Sequence, residues 1–297
     1  MDVAVSGSRG LVGSALLRFL TTEGHQVVRL VRASAGGDDV LWSPATGVEN
    51  ASRLEGVHAV VHLAGKNLAA GRWTPEFKED IRRSRVEGTR KLSESLAGLA
   101  RHPKVMVCAS AVGYYGNRGD ELLTEGSSAG SDFLARVCQE WEAATELAVR
   151  AGIRVVLLRF GMILSAAGGA LKKMLLPFKL GVGGRIGNGK QYMSWVAMDD
   201  VVGAIHHAIC AEALRGPVNV VSPDPVTNAE FTRILARVLS RPAILPLPAF
   251  GARLLFGELA DALLLASQRV KPERLQGSGY RFQLPDLEGA LRCVLGG

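Results

Sequence analysis

Three glycines recur at intervals of three in Ser6-Gly7-Ser8-Arg9-Gly10-Leu11-Val12-Gly13. Glycine lets a turn be tight and lets backbone approach a pyrophosphate, which then rests on the N-terminus of the following helix. The spacing alone also fills ordinary turns. Its position, directly between the apolar run Val3-Ala4-Val5 and the amphipathic stretch from Leu11 to Thr22, makes it a dinucleotide fingerprint. Gly7, Ser8, Arg9, Gly10, Leu11, Val12 and Gly13 are therefore the expected pyrophosphate-binding residues.

The second ligand-selecting position lies about 20 residues beyond such glycines, near the end of the second strand. An acid there would accept from the ribose hydroxyls of NAD. Val27-Val28-Arg29-Leu30-Val31-Arg32 contains none, and Asp38-Asp39 come only after a Gly-Gly turn. Arg32 stands at the strand's end, where its planar fork suits a 2′-phosphate. Alternation puts Arg29 off that edge. The expected cofactor is NADP(H).

These residues need a scaffold. The first half of the 297-residue chain alternates short apolar runs with amphipathic stretches, the βαβ pattern of a parallel sheet covered by helices. Strands are expected at 3–5, 26–31, 57–63, 105–109 and 154–160, with a short one near Val40-Leu41-Trp42. Helices are expected at 11–22, 75–99 and 131–151. After Gly161 the texture changes: glycines crowd between 168 and 189, the mark of loops shaped around something. A helix over 201–211 and a strand over 218–221 return to the first pattern. Thr227-Asn228-Ala229-Glu230 then opens another helix with a capping box. The fold class is α/β: a Rossmann-type doubly wound parallel sheet with a smaller C-terminal α+β substrate lobe. The expected division is an NADP(H)-binding domain over 1–164, rejoined by about 195–222, and a lobe over 165–194 and 223–297.

Composition narrows the partners. The chain is 47% hydrophobic and 21% charged, and no apolar run approaches the roughly 20 residues of a membrane span. Met1 to Val5 is too short for a signal peptide and reads as a strand, so the expected location is cytoplasmic. Cys108, Cys138, Cys210 and Cys293 lie far apart without metal-ligand spacing, which predicts small core side chains, no metal and no disulfide. The net charge of +7 is spread along the chain among acids, which points to a basic surface with local anion sites and no nucleic-acid partner. The expected partner is a small-molecule substrate, for a monomer or homodimer.

Beyond the fingerprint, His62-Leu63-Ala64-Gly65 and Ser84-Arg85-Val86-x-Gly88-Thr89 resemble extended short-chain dehydrogenases/reductases. More specifically the chain resembles their atypical "epimerase family protein" subgroup, also described as sugar-nucleotide epimerases. The marks are Arg72-Trp73, Ser110-Ala111-Val112-Gly113-Tyr114-Tyr115-Gly116, Asp132-Phe133-Leu134, Trp141-Glu142 and Gly187-x-Gly189-x-Gln191-x-x-Ser194-Trp195. Near the end come Arg241-Pro242 and Gln268-Arg269-Val270-x-Pro272. The resemblance spans essentially the whole chain. It implies that Leu63, Ala64 and Gly65 line the cofactor, and that Arg85, standing where extended members carry Asn, contacts its phosphate or ribose.

Standard members of the resembled group use Tyr-x-x-x-Lys on one helix, the Lys lowering the Tyr pKa for proton exchange with the substrate oxygen. None of the four tyrosines here has a Lys four residues on. Aligned on Glu142, the usual Tyr and Lys positions hold Leu134 and Cys138, and the usual Ser/Thr falls on Ala111 beside Ser110. The polar residues left near the expected nicotinamide are Ser110, Tyr114, Tyr115, Asp132, Arg136 and Glu142. Tyr114 leads as candidate acid, with Ser110 and Tyr115 as further catalytic candidates; both tyrosines would equally suit packing under a glycine-rich loop. The usual Arg for a substrate pyrophosphate is Met193, so Lys190 or Arg185 would have to replace it. Gln191 and Trp195 would suit a polar, stackable ligand, although Trp195 would also suit a core. Two functions follow: an NADP(H)-dependent oxidoreductase or epimerase acting on a small carbonyl or sugar-like substrate, or a catalytically silent NADP(H)-binding sensor or partner-stabilising module.

Overall fold

In the computed structural model, which describes residues 1–33, 37 and 39–296, eight strands form the central sheet. They are β1 (Asp2–Ser6), β2 (Gln26–Val31), β3 (Val40–Ser43), β4 (Gly47–Val48), β5 (Ala59–His62), β6 (Val105–Ala111), β7 (Arg154–Phe160) and β8 (Gly216–Val220). Their spatial order is β8-β7-β6-β5-β1-β2-β3-β4. β1 runs parallel to both β2 and β5, β5 to β6, and β2 to β3, while β4 folds back on β3 as an antiparallel hairpin. Val3, Ala4, Val5, Val60, Val61 and Met106 have no exposed surface, as a sheet covered on both faces requires. The order reverses at β1, so its carboxyl end opens a crevice where α/β sheets take ligands.

The chain divides into two compact units, each with its own core. Unit 1 comprises Met1–Ser110, Arg136–Leu158 and Val202–Val218 and contains nearly all of the sheet. Its helix α1 (Leu11–Thr22) follows β1 directly, and α2 (Pro75–Ala97) starts with Pro75 at its first position and a hydrogen bond from the Phe77 N–H to the Thr74 hydroxyl. The helix expected over 131–151 is two, α3 (Phe133–Ala143) and α4 (Glu146–Arg150). At the break the Thr145 hydroxyl donates to the Glu142 carbonyl, a local bond that competes with helix continuation. Of the Gly36-Gly37-Asp38-Asp39 turn, Gly36 and Asp38 lie outside the described residues.

Unit 2 comprises Ala111–Ala135, Arg159–Val201 and Asn219–Gly297. Its core gathers Trp195, Phe231, Leu171 and Leu291 from three helices (Gly169–Lys179, Asn228–Leu239, Leu287–Leu295) and a short strand (Trp195–Ala197). The capping box at Thr227 is formed in both directions. The glycine-rich segment is moulded to the protein itself. A Cβ on Gly183 would stand 2.6 Å from the Phe178 ring, one on Gly184 1.9 Å from the Leu245 carbonyl oxygen, and one on Gly189 3.0 Å from the Ala229 Cβ. Among the described residues no helix is long and apolar enough to cross a membrane.

Candidate functional site

The β1–α1 turn is closed by the Gly10 N–H bonding to the Gly7 carbonyl at 2.9 Å. Gly7 has φ +69°, and a Cβ on it would lie 2.7 Å from the Leu63 carbonyl carbon. A Cβ on Gly13 would lie 2.2 Å from the Gly7 oxygen. Only glycine allows α1 to start this close to the turn, and the turn to press against the chain leaving β5. The first turn of α1 has neither a side-chain cap nor an acid, which leaves its N–H groups free to meet an anion. Beneath it, the Ser6 hydroxyl accepts from the Leu63 N–H at 3.2 Å and pairs with His62 Nδ1 at 2.6 Å. His62 is fully buried, and that burial pushes its pKa down to about 4, so it is a neutral packing residue at pH 7.

A cavity of about 1360 Å³ opens over this turn within unit 1. Gly7, Ser8, Arg9 and Gly10 form its floor, Arg32 and Pro44 one wall, and Leu63, Ala64 and Gly65 the other. Six basic side chains reach it, and four are already matched. Lys66 and Arg83 bind Asp80, Arg90 binds Glu87 and Glu94, and Lys91 binds Glu94. Arg9 and Arg32 are exposed and have no acidic partner among the described residues. Cationic capacity is thus left at two points, beside the glycine turn and at the end of β2. Asp39 is not available to a ribose, because Arg29 grips both of its oxygens.

Arg85 is not among the cavity-lining residues. It turns beneath the β5 loop, donating to the Lys66 carbonyl at 3.0 Å and the Ile81 carbonyl at 3.2 Å, with its guanidinium 5.2 Å from the Trp141 ring centre. A Cβ on Gly65 would meet it at 3.3 Å. The contact to cofactor phosphate or ribose implied by the family resemblance is therefore replaced by a brace under the loop, and burial lowers its pKa. An Arg in the Arg82-Arg83-Ser84-Arg85 run gives no sign from sequence alone of which way it turns.

Ser110 stands at the carboxyl edge of the sheet, two residues past Cys108, which pairs with His62. Its hydroxyl donates to Glu142 Oε1 at 2.7 Å, and both belong to unit 1. Tyr114 and Tyr115 belong to unit 2 and are edge to face, 5.4 Å apart. Tyr115 is fully buried, its hydroxyl donating to Asn219 Oδ1 at 2.7 Å and accepting from Arg159 at 3.0 Å. That satisfied position makes it a core residue. Tyr114 is half-buried, and its hydroxyl has no hydrogen-bond partner among the described residues. The Arg159 guanidinium lies over its ring at 3.4 Å. Sequence reasoning missed Arg159, although one Arg inside the apolar run Val155-Val156-Leu157-Leu158-Arg159-Phe160 was a usable signal. Asp132 is a helix cap, accepting from the Ala135 N–H at 2.9 Å.

Of the expected substrate residues, Trp195 has no exposed face, and its indole N–H donates to the Asp224 carbonyl at 3.0 Å. It belongs to the core of unit 2 and cannot stack on a ligand. Gln191 ties the glycine-rich segment to its neighbours by donating to the Ile186 and Leu264 carbonyls. With Lys190 and Asn188 it also borders a second, shallower cavity of about 460 Å³.

The sequence pattern of the NAD dependent epimerase/dehydratase family matches residues 3–221, and a domain of unknown function, DUF1731, matches residues 247–294. The chain is 46% identical to Epimerase family protein Mb2239 of Mycobacterium bovis, over 94% of this chain and 93% of that one. It is 36% identical to human Epimerase family protein SDR39U1, over 99% of this chain and 100% of that one. The crystal structure of human SDR39U1 (isoform2) with NADPH superimposes with a TM-score of 0.92 at 34% identity, covering both chains fully. A structure described as a nucleoside-diphosphate sugar epimerase from Corynebacterium glutamicum gives 0.82 at 39% identity, covering all of this chain and 58% of that one.

Proposed function

We propose a function from one premise: the chain belongs to the NAD dependent epimerase/dehydratase family. In this reading it is an NADP(H)-dependent oxidoreductase or epimerase acting on a small carbonyl or sugar-like substrate. The observation that carries it is the first cavity, a glycine cradle with two uncommitted arginines. Gly7, Gly10 and Gly13 with the N-terminus of α1 would hold the pyrophosphate, Leu63 to Gly65 would line the ligand, and Arg32 would take the 2′-phosphate. That human SDR39U1 was crystallised with NADPH supports the choice. NADP(H) would supply or accept hydride.

The chain's own residues would handle the proton. Tyr114 offers an unclaimed hydroxyl, with Arg159 placed to favour negative charge nearby. Ser110, held by the hydrogen bond it donates to Glu142, would orient the substrate oxygen. Leu134 and Cys138 are both buried and take no part. They also motivate the second reading, an NADP(H)-binding module without turnover. Titrating the protein with NADPH and NADH tests the cofactor, with much tighter NADPH binding expected. Transfer of deuteride from one face of labelled NADPH to a carbonyl panel then separates the two readings. Binding without any transfer would favour the silent module.

A further inference from the structure

One face of unit 2 is apolar and has no partner among the described residues. On the helix Gly169–Lys179 and just after it, Leu176, Leu180 and Val182 are 51–68% exposed. Beside them stand Ile244 and Leu245. The two segments touch where the Arg241 Nε donates to the Lys179 carbonyl at 3.2 Å and where Gly181 faces Pro242. The chain then enters the helix Ala249–Phe256, whose Phe250, Leu254, Leu255 and Phe256 are 47–78% exposed and whose one buried residue is Ala252. A helix apolar on nearly every side is a helix that something covers. At roughly 100 Å² for each, these nine exposed side chains present about 900 Å² of apolar surface, and monomers rarely leave more than a few hundred Å² of contiguous apolar surface uncovered.

Charge identifies what covers it. Residues 165–198 carry five basic residues and no acid, and residues 231–257 carry four and no acid, although Arg237 is paired with Glu288 and Arg253 with Asp261. Lys172 and Leu176 stand four apart on one face of that helix, Leu180 follows at its C-cap, and Lys179 lies beside them. Lys172, Lys179, Arg185 and Arg241 are exposed. The acids that follow the second helix are Glu258 and Asp261, and Asp261 is held by Arg253 at 2.9 Å. A second copy docked on this face would set cation against cation. We propose that the face binds peripherally to an anionic phospholipid bilayer, leucines and phenylalanines in the acyl boundary and lysines and arginines at the headgroups.

The test is sedimentation of the full chain with vesicles of phosphatidylcholine alone and with added phosphatidylglycerol. Binding is expected on the anionic vesicles only, weakening as salt rises. The exposed pair Lys172→Gln/Lys179→Gln should weaken it about 25-fold, near fivefold per charge. Phe250→Ser/Leu254→Ser should abolish it while leaving the melting temperature unchanged. Should that variant fold poorly, the lysine pair alone decides. No binding to anionic vesicles, or equal binding to neutral ones, overturns the proposal. So does a solution dimer that Phe250→Ser/Leu254→Ser splits, which would make a second copy the occupant.

Discussion

Arg29 holds Asp39 with two parallel hydrogen bonds, Nε to one carboxylate oxygen at 2.7 Å and Nη2 to the other at 2.9 Å. The carboxylate is 4% exposed. The pair fastens the start of β3 to β2 and withdraws the acid that would otherwise approach a ribose. Arg29→Met leaves that nearly buried charge unmatched and should cost about 1–3 kcal/mol, read as a lower urea midpoint. An unchanged midpoint would mean that the pair is only superficial.

Arg32 should decide between the two nicotinamide cofactors. Arg32→Ala is expected to weaken NADPH about 10- to 100-fold, the worth of charge-assisted bonds to phosphate, and to leave NADH nearly unaffected. Fluorescence titration with both cofactors checks it. Equal losses for both would remove Arg32 from the 2′-phosphate.

The glycine turn predicts a contrast between two substitutions. Gly13→Ala drives a methyl to 2.2 Å from the Gly7 oxygen and should abolish NADPH binding and lower the melting temperature by several degrees. Gly24→Ala meets nothing within 4 Å, and only its φ of +75° is unfavourable. It should cost about 1 kcal/mol and leave binding intact.

The two adjacent tyrosines should part company. Tyr115→Phe strips Asn219 and Arg159 of a buried partner and should destabilise by about 1–3 kcal/mol. Tyr114→Phe should leave the unfolding midpoint in place and remove turnover of any carbonyl the protein reduces. Retained turnover would clear Tyr114 of the acid role and leave Ser110 to be tested.

His62 makes the fold acid-sensitive. Its folded pKa of about 4 lies below the ordinary value of 6.5, so below pH 6.5 the unfolded chain binds the proton more readily. The stability it contributes is complete above pH 6.5 and is lost as pH falls through 4, by about 3 kcal/mol in all. Urea midpoints at pH 7 and pH 4.5 should differ more for the parent chain than for His62→Asn. Identical differences would sink the assignment.

The glycine fingerprint, the parallel strands and the capping box at Thr227 were legible because each is written in a few consecutive residues. Arg85, Trp195 and the Arg29–Asp39 pair were not. Whether an arginine braces a loop or faces a ligand depends on Gly65 and Trp141, far from it in the chain. Trp195 sits where a substrate-facing residue would sit in the sequence, yet it is enclosed by helices that lie before and after it. The crowded glycines read as loops shaped around something, and what they pack around is Phe178, Leu245 and Ala229. No local pattern distinguishes a neighbour of that kind from a ligand.

The two acid-free segments change the meaning of the net charge. They hold nine of the 35 basic residues, so the remaining 236 residues carry 26 basic against 28 acidic. Apart from those 61 residues the chain is slightly acidic, so in the sequence its surplus of +7 is carried by two segments, both in unit 2. On an ion-exchange column such a molecule behaves as two materials at once. A sulfonate resin should grip it by one patch, and the salt that elutes it should follow substitutions in 165–198 and 231–257 while ignoring equal changes of charge elsewhere.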